Sequence, residues 1–154
     1  MYKRQVYDHR VLAPASPYML GFADDLSIPV SRWTEVRRAD IPPASGMTIL
    51  AESARTGLCL LDDPDHRMLH MFNHLEYDTT SLADEYFRDH EAGLAVPVPY
   101  RYFPEDNPAS RPVNRWRGHA HLLAGNWINQ IYQTAPFDPS RIGQPVASVV
   151  PAGT

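Results

Sequence analysis

Short apolar runs separated by turn residues fill the first half of the chain. The run at 5–12 alternates apolar and polar residues well enough for a strand, and Pro14 ends it. Four later runs predict three or four further strands, at 26–33, 47–52, 58–61 and 68–72. The turn signal Asp-Pro-Asp separates the last two runs, which predicts a hairpin and therefore a partly antiparallel sheet.

Two stretches of the second half have the apolar spacing of a helix. The first spans 80–92 and ends at Gly93. The second spans 114–133, where Asn114 can cap the start and Pro136 lies just beyond the end. The predicted apolar faces are Leu82, Ala83, Tyr86 and Phe87 in the first helix and Trp116, Ala120, Leu123, Trp127 and Ile131 in the second.

Strands followed by amphipathic helices indicate an α/β protein. Five prolines lie between 97 and 112, so this stretch is predicted to be an irregular connection between the helices. Residues 139–154 have few large side chains and many Pro, Gly and Ser residues, and we expect them to form a flexible tail.

Composition narrows the range of partners. With 44% hydrophobic and 21% charged residues, the chain has the balance of one globular domain. A net charge of -4 gives no general electrostatic reason to expect nucleic acid or an anionic membrane as a partner, and it suits a small uncharged or zwitterionic substrate. No run approaches the roughly 18 apolar residues that span a bilayer, and the first ten residues lack a signal-peptide core. We therefore expect a cytoplasmic protein.

The polar turn at 73–78 is the candidate site, because active-site residues of α/β folds often lie where a strand leads into a helix. His74 and Glu76 are two residues apart, so an extended backbone would point both side chains to the same side. A carboxylate beside an imidazole selects the ring nitrogen that carries the proton and stabilises the imidazolium, as a general base requires. By itself the pattern is common, and a solvated or capping pair is the alternative interpretation.

Several ordered motifs add a family resemblance. The runs HLEYDTTSLADEYFRDHEAGLAVPVPYRYFPEDNP and RWRGHAHLLAGNWINQIYQTAPFD resemble the carboxy-terminal half of the homoserine O-acyltransferases, the succinyl or acetyl transferases that begin methionine biosynthesis. The upstream run HRVLAPASPYMLGFADDLSIPVSRW is also similar. The resemblance implies that residues 1–138 are the carboxy-terminal half of such a domain, part of a class I glutamine amidotransferase-like (flavodoxin-like) sheet with flanking helices.

In that family a cysteine takes the acyl group from acyl-CoA as a thioester, and the hydroxyl of homoserine then accepts it. The resemblance implies that His74 is the base, that Glu76 is its partner, that Arg88 holds the carboxylate of homoserine and that Ser31 belongs to the substrate loop. The planar fork of an arginine suits a carboxylate. Acyl-CoA is expected as co-substrate, with no other cofactor.

An ordinary surface role is the alternative for Arg88. A salt bridge with Asp84 or Glu91 on its own helix would place its side chain in solvent with little effect on function.

Two departures from the family pattern stand out. Asn73 and Leu75 occupy positions where many members have glycine and proline. The family's cysteine also belongs to an amino-terminal half that this sequence does not match. Cys59 lies in an apolar strand and is predicted to be a small core residue rather than a reactive thiol.

These departures leave three functional hypotheses. The first is an acyltransferase whose nucleophile comes from a separate chain or a longer one, acting as a homodimer. The second is a non-catalytic amino-acid-binding or dimerisation fragment, and the third is a structural domain.

The histidine spacings do not favour a metal site. His66, His70 and His74 are four residues apart, which places residues on one face only in a helix, yet they lie in a predicted turn and strand. His119 and His121 are two apart on a predicted helix and point in different directions. We therefore expect no metal.

Overall fold

A computed structural model describes residues 3–136 and 138–143. The elements in chain order are strands β1 Lys3–Val11, β2 Asp25–Arg32, β3 Thr48–Ser53, β4 Gly57–Asp63 and β5 Met68–Met71, then helices α1 Ser81–Glu91 and α2 Arg117–Thr134. Short 3-10 turns occur at Pro17–Met19, Arg38–Asp40, Pro104–Asp106 and Pro139–Arg141. Each strand and helix lies within three residues, at each end, of a predicted run, and the four later runs, which predicted three or four strands, form four.

The five strands form one sheet in the order β2-β1-β3-β4-β5, and every paired neighbour is antiparallel. The predicted hairpin between β4 and β5 is confirmed: Asp63 pairs with Met68 beside the turn. Short connections favour antiparallel pairing, since a parallel pair needs a crossover of a dozen or more residues. A mixed α/β fold is therefore confirmed, whereas the flavodoxin-like arrangement does not follow from the described strands.

Helix α2 starts three residues later than predicted, at Arg117 instead of Asn114. The side-chain oxygen of Asn114 accepts hydrogen bonds from the backbone N–H groups of Trp116 and Arg117, at 3.1 and 2.8 Å. Asn114 thus supplies the predicted cap from just outside the helix.

The predicted apolar face of α2 is only partly covered: Trp116 and Leu123 are buried, whereas Trp127 and Ile131 are 46% and 43% exposed.

Aromatic residues fasten the proline-rich connection to the turn that follows β5. Trp116 is fully buried, and its indole N–H donates to the carbonyl oxygen of Tyr77 at 2.7 Å. The buried Tyr102 donates its hydroxyl proton to the carbonyl oxygen of Thr79 and accepts from the N–H of Ala83. These bonds hold both the start of α1 and the turn that contains the candidate site.

No helix among the described residues is long and apolar enough to cross a membrane. Within the predicted tail, Pro139–Arg141 forms a single turn, and residues 144–154 lie outside the described part of the chain, as do Met1, Tyr2 and Phe137.

Candidate active site

The candidate site forms where the two edges of the curled sheet meet. β2 and β5 are at opposite edges, yet the N–H of His74, in the turn after β5, donates to the carbonyl oxygen of Pro29 on β2 at 2.9 Å. The side chain of Arg32 also contacts the carbonyl oxygens of Thr56 and Phe72. This closure brings the end of β2 against the turn that carries His74.

His74 and Glu76 form the predicted contact, although Leu75 and Glu76 lie in a turn and not in an extended segment. Nδ1 of His74 lies 2.7 Å from a carboxylate oxygen of Glu76, and Nε2 lies 3.2 Å from the carbonyl oxygen of Ser31. An ionised carboxylate only accepts hydrogen bonds, so Glu76 favours a proton on Nδ1. Because the carbonyl oxygen of Ser31 only accepts, its contact with Nε2 is a hydrogen bond when Nε2 also carries a proton, and this is the proton that the ring can exchange with a reacting group. The imidazole is about one-third exposed, which leaves it accessible.

Tyr77 and Glu85 join this site, and the sequence did not single them out. The ring of Tyr77 stacks on that of His74, with centroids 4.3 Å apart. Its hydroxyl donates to one oxygen of Glu85 at 2.6 Å, and the hydroxyl of Ser31 donates to the other at 2.8 Å. Glu85 therefore links the end of β2 to the aromatic ring that supports His74. Its position on the same helical face as Arg88, three residues away, was the available signal.

The environment of Tyr77 keeps its phenol protonated. Burial, followed by the hydrogen bond and the negative charge of Glu85, raises the pKa of Tyr77 to about 12. The protonated phenol is the hydrogen-bond donor to Glu85.

Arg88 lies on α1 with its side chain two-thirds exposed. Its guanidinium pairs at 2.9 Å with Asp89 on the same helix, so a salt bridge of the kind in the alternative interpretation is present, with Asp89 in place of Asp84 or Glu91. Asp89 raises the pKa of Arg88, and smaller contributions from Glu85 and Tyr77 act in the same direction. The guanidinium is therefore within electrostatic reach of the site while most of its surface remains open.

A second polar cluster lies beneath the turn. His9 is fully buried, with Nε2 2.7 Å from the side-chain nitrogen of Asn73 and 3.3 Å from the hydroxyl of Thr56. Nδ1 lies 3.0 Å from the carbonyl oxygen of Tyr7. These bonds are satisfied by a neutral ring that donates from Nδ1 and accepts at Nε2. Asn73 stands where many family members have glycine, and its side-chain amide donates a hydrogen bond to His9.

Cys59 is 1% exposed, as predicted for a core residue. Burial raises the pKa of its thiol to about 12, even though Asn73 and Arg32 act in the opposite direction. A thiol of this kind is not a thiolate near neutral pH, and substrates cannot reach it.

Within residues 3–136 and 138–143, no cluster of three His, Cys, Asp or Glu residues could hold a metal ion. The hairpin nevertheless brings two of the spaced histidines together: His66 lies 2.9 Å and His70 lies 3.7 Å from the carboxylate of Asp63. His74 instead belongs to the site described above.

Comparison with known proteins gives a consistent result. Residues 3–137 match the family model described as homoserine O-succinyltransferase. A homoserine O-acetyltransferase of Brucella canis is 63% identical over 139 residues, which are 90% of this chain and 45% of the relative. A homoserine O-acetyltransferase of Rhizorhabdus wittichii is 66% identical over 138 residues, which are 90% of this chain and 42% of the relative. The chain thus spans less than half the length of these curated relatives.

Proposed function

The chain belongs to the homoserine O-succinyltransferase family, and from this premise we propose that it supplies part of the active site of a homoserine O-acyltransferase. The reaction moves a succinyl or acetyl group from acyl-CoA to the hydroxyl of L-homoserine, the first committed step of methionine biosynthesis. Residues 1–138 are the carboxy-terminal half of the domain, and the other half supplies the nucleophilic cysteine, within one polypeptide or as a separate chain. The assembled fold is glutamine amidotransferase-like, and the enzyme is a homodimer in the cytoplasm.

The observation that carries this proposal is the pairing of His74 with Glu76 beside Ser31, with Glu85 and Tyr77 supporting the ring. Nε2 of His74 takes the proton of the cysteine thiol, and the thiolate attacks the thioester carbonyl of acyl-CoA. CoA leaves as its thiolate and takes up the proton, which yields the acyl-enzyme. Glu76 keeps Nδ1 protonated and stabilises the imidazolium.

The second half-reaction uses the same base. Nε2 removes the proton from the hydroxyl of homoserine, whose oxygen attacks the acyl-enzyme, and the proton passes to the departing cysteine sulfur. Arg88 binds the carboxylate of homoserine through its exposed guanidinium, which the pair with Asp89 holds in place. Both the succinyl and the acetyl donor remain in this proposal, because the family and the relatives carry the two different names.

The alternative is a non-catalytic amino-acid-binding or dimerisation fragment, which the burial of Cys59 favours. An assay of two proteins separates the hypotheses: the 154-residue chain alone, and a fusion in which this chain replaces the matching 45% of the Brucella canis relative. We expect no homoserine-dependent release of CoA from the first and clear release from the second. Release by the isolated chain would contradict the proposed division of the site, and an inactive but folded fusion would favour the non-catalytic alternative.

A further inference from the structure

Arg32 is the last residue of β2, and its side chain reaches the backbone of two other strands. One terminal nitrogen of the guanidinium lies 3.5 Å from the carbonyl oxygen of Phe72, just after β5. The other terminal nitrogen contacts the carbonyl oxygens of Thr56 and Leu58, where β4 begins. Nε of the same side chain is buried. The guanidinium therefore faces the backbone, and it is poorly placed to bind the carboxylate or phosphate of a substrate.

The contacts of Arg32 support an edge strand. In the sheet, β2 pairs with β1 on one side only. On its other side, the N–H of His74 donates to the carbonyl oxygen of Pro29. Pro29 and Arg32 thus attach β2 to the segment after β5 at two positions, and Ser31 lies between them. A strand that is held at two nearby positions cannot slide along its neighbour, so these contacts fix where Ser31 lies beside the turn.

Ser31 contacts the candidate site with both its backbone and its side chain. Its carbonyl oxygen lies 3.2 Å from Nε2 of His74, and its hydroxyl donates to Glu85 at 2.8 Å. When His74 has taken a proton on Nε2, the carbonyl oxygen can accept a hydrogen bond from it, which stabilises the charged ring. The position of this oxygen therefore affects every step in which the ring becomes charged.

We propose that Arg32 is a positioning residue of the acyl transfer: its guanidinium holds the carbonyl oxygen of Ser31 against Nε2 of His74. The inference rests on the proposed function for the reaction that His74 performs. The planar fork of an arginine carries several donors in fixed directions, so one side chain can reach three carbonyl oxygens together. Lysine has the same charge and lacks this fork, which makes Arg32→Lys the informative variant.

The two half-reactions give the first test. In the fusion, Arg32→Lys should slow acylation and transfer to homoserine by the same factor, about ten- to a hundredfold, because one base serves both steps and a displacement of about 1 Å is costly. The KM for homoserine should change by less than about twofold. Arg38→Lys is the matched control, since this exposed arginine pairs with Glu52, and its rates should stay normal. A loss confined to one half-reaction would show that Arg32 binds a substrate and would overturn the proposal.

The amplitude of acylation separates positioning from a role in stability alone. Single-turnover mass spectrometry measures both the fraction of enzyme that is acylated and the rate constant. Arg32→Lys should keep the amplitude and lower the rate constant. Arg32→Gln, which keeps two N–H donors and loses the charge, is the second variant and should give the same pattern. A lower amplitude with a normal rate constant would mean that Arg32 only maintains folded enzyme, and normal rates in both variants would also overturn the proposal.

Nitrogen NMR of the isolated chain measures the contact without any reaction. Arg32→Lys should move the signal of Nε2 in the protonated ring of His74, because the hydrogen bond to Ser31 weakens, and leave the signals of the exposed His121 unchanged. An unmoved His74 signal would overturn the proposal. A moved signal, with a wild-type fusion that transfers no acyl group, would support this role of Arg32 at the ring while contradicting the proposed function. Acyl transfer at a normal rate despite a moved signal would do the reverse.

Discussion

Two histidines lie on either side of Asn73 and differ in almost every physical respect. His74 is partly exposed, and its ring contacts a carboxylate and the ring of Tyr77. His9 is fully buried, and its partners are a carbonyl oxygen, an amide and a hydroxyl. Burial lowers the pKa of His9 to about 4, against the opposing hydrogen bond to the carbonyl oxygen of Tyr7; of the nearby charges, Arg32 also lowers the pKa and Asp8 raises it.

The difference shows how one residue type takes two roles. An imidazole that meets solvent and a carboxylate can accept and return protons, as a base must. A buried imidazole among neutral partners stays neutral and acts as a fixed hydrogen-bonding group. We therefore expect changes at His74 to affect catalysis more than stability, and changes at His9 to do the opposite.

The largest expected effect is on catalysis at the exposed histidine. In the fused enzyme, His74→Ala should slow formation of the acyl-enzyme by roughly 10²- to 10⁴-fold, because the general base is lost. Glu76→Gln should cost less, since the glutamate only orients and stabilises the ring. Intact-protein mass spectrometry measures the thioester. Near-normal acylation by the His74 variant, with His9→Gln as the comparison, would remove His74 from the mechanism.

The second prediction concerns the stability that His9 makes dependent on pH. Its folded pKa of about 4 lies below the ordinary value of 6.5, so the unfolded chain binds the proton first as the pH falls. Stability should therefore decrease between about pH 6.5 and 4, by about 3 kcal/mol, and His9 should add no further loss at lower pH.

Urea unfolding of the isolated chain at pH 7, 5.5 and 4.5 measures this slope. His9→Gln should flatten it, because glutamine does not titrate in this range. The remaining slope includes His119, whose pKa burial also lowers. An unchanged slope in the His9 variant would assign the pH dependence to other groups.

The third prediction concerns Arg88, whose substitution should affect the use of homoserine more than the use of acyl-CoA. Arg88→Lys should reduce the specificity constant for homoserine by about ten- to more than a hundredfold, or roughly 1.5–3 kcal/mol, and leave acylation by acyl-CoA nearly unchanged. Lysine keeps the charge but lacks the fork that matches a carboxylate. Arg38→Lys is the control, since that exposed arginine also pairs with a carboxylate, Glu52, at 2.9 Å. Small and equal losses in both half-reactions would show that Arg88 forms only a surface salt bridge and does not bind homoserine.

The smallest effect is expected at the ring that supports His74. Tyr77→Phe keeps the stacked ring and removes only the hydrogen bond to Glu85, so acylation should slow by several fold, equivalent to about 1 kcal/mol. The pH profile below about pH 11 should not change, because the tyrosine remains protonated there. Tyr132→Phe, at a residue 80% exposed, is the control. A shifted profile would show that Tyr77 takes part in proton transfer.

The apolar face of α2 shows a limit of the sequence pattern. The apolar spacing of α2 predicted one continuous face, yet Trp116 and Leu123 are buried while Trp127 and Ile131 remain exposed. Periodicity reports that a face is apolar and does not report what covers it.

The sequence by itself determined the local features of this protein. Apolar periodicity located the strands and helices, the Asp-Pro-Asp turn predicted the β4–β5 hairpin, and the apolar neighbours of Cys59 predicted its burial. The spacing of His74 and Glu76 also predicted their contact. Each of these depends on residues close together in the chain, where backbone geometry restricts the possible arrangements.

Only the tertiary structure decided which distant residues meet. The curl of the sheet brings Ser31 to Glu85 across 54 positions and places His9 beneath Asn73 across 64 positions. Such contacts depend on strand order and on the closure of the sheet edges, which arise from packing of the whole chain. A spacing pattern along the sequence therefore does not contain them.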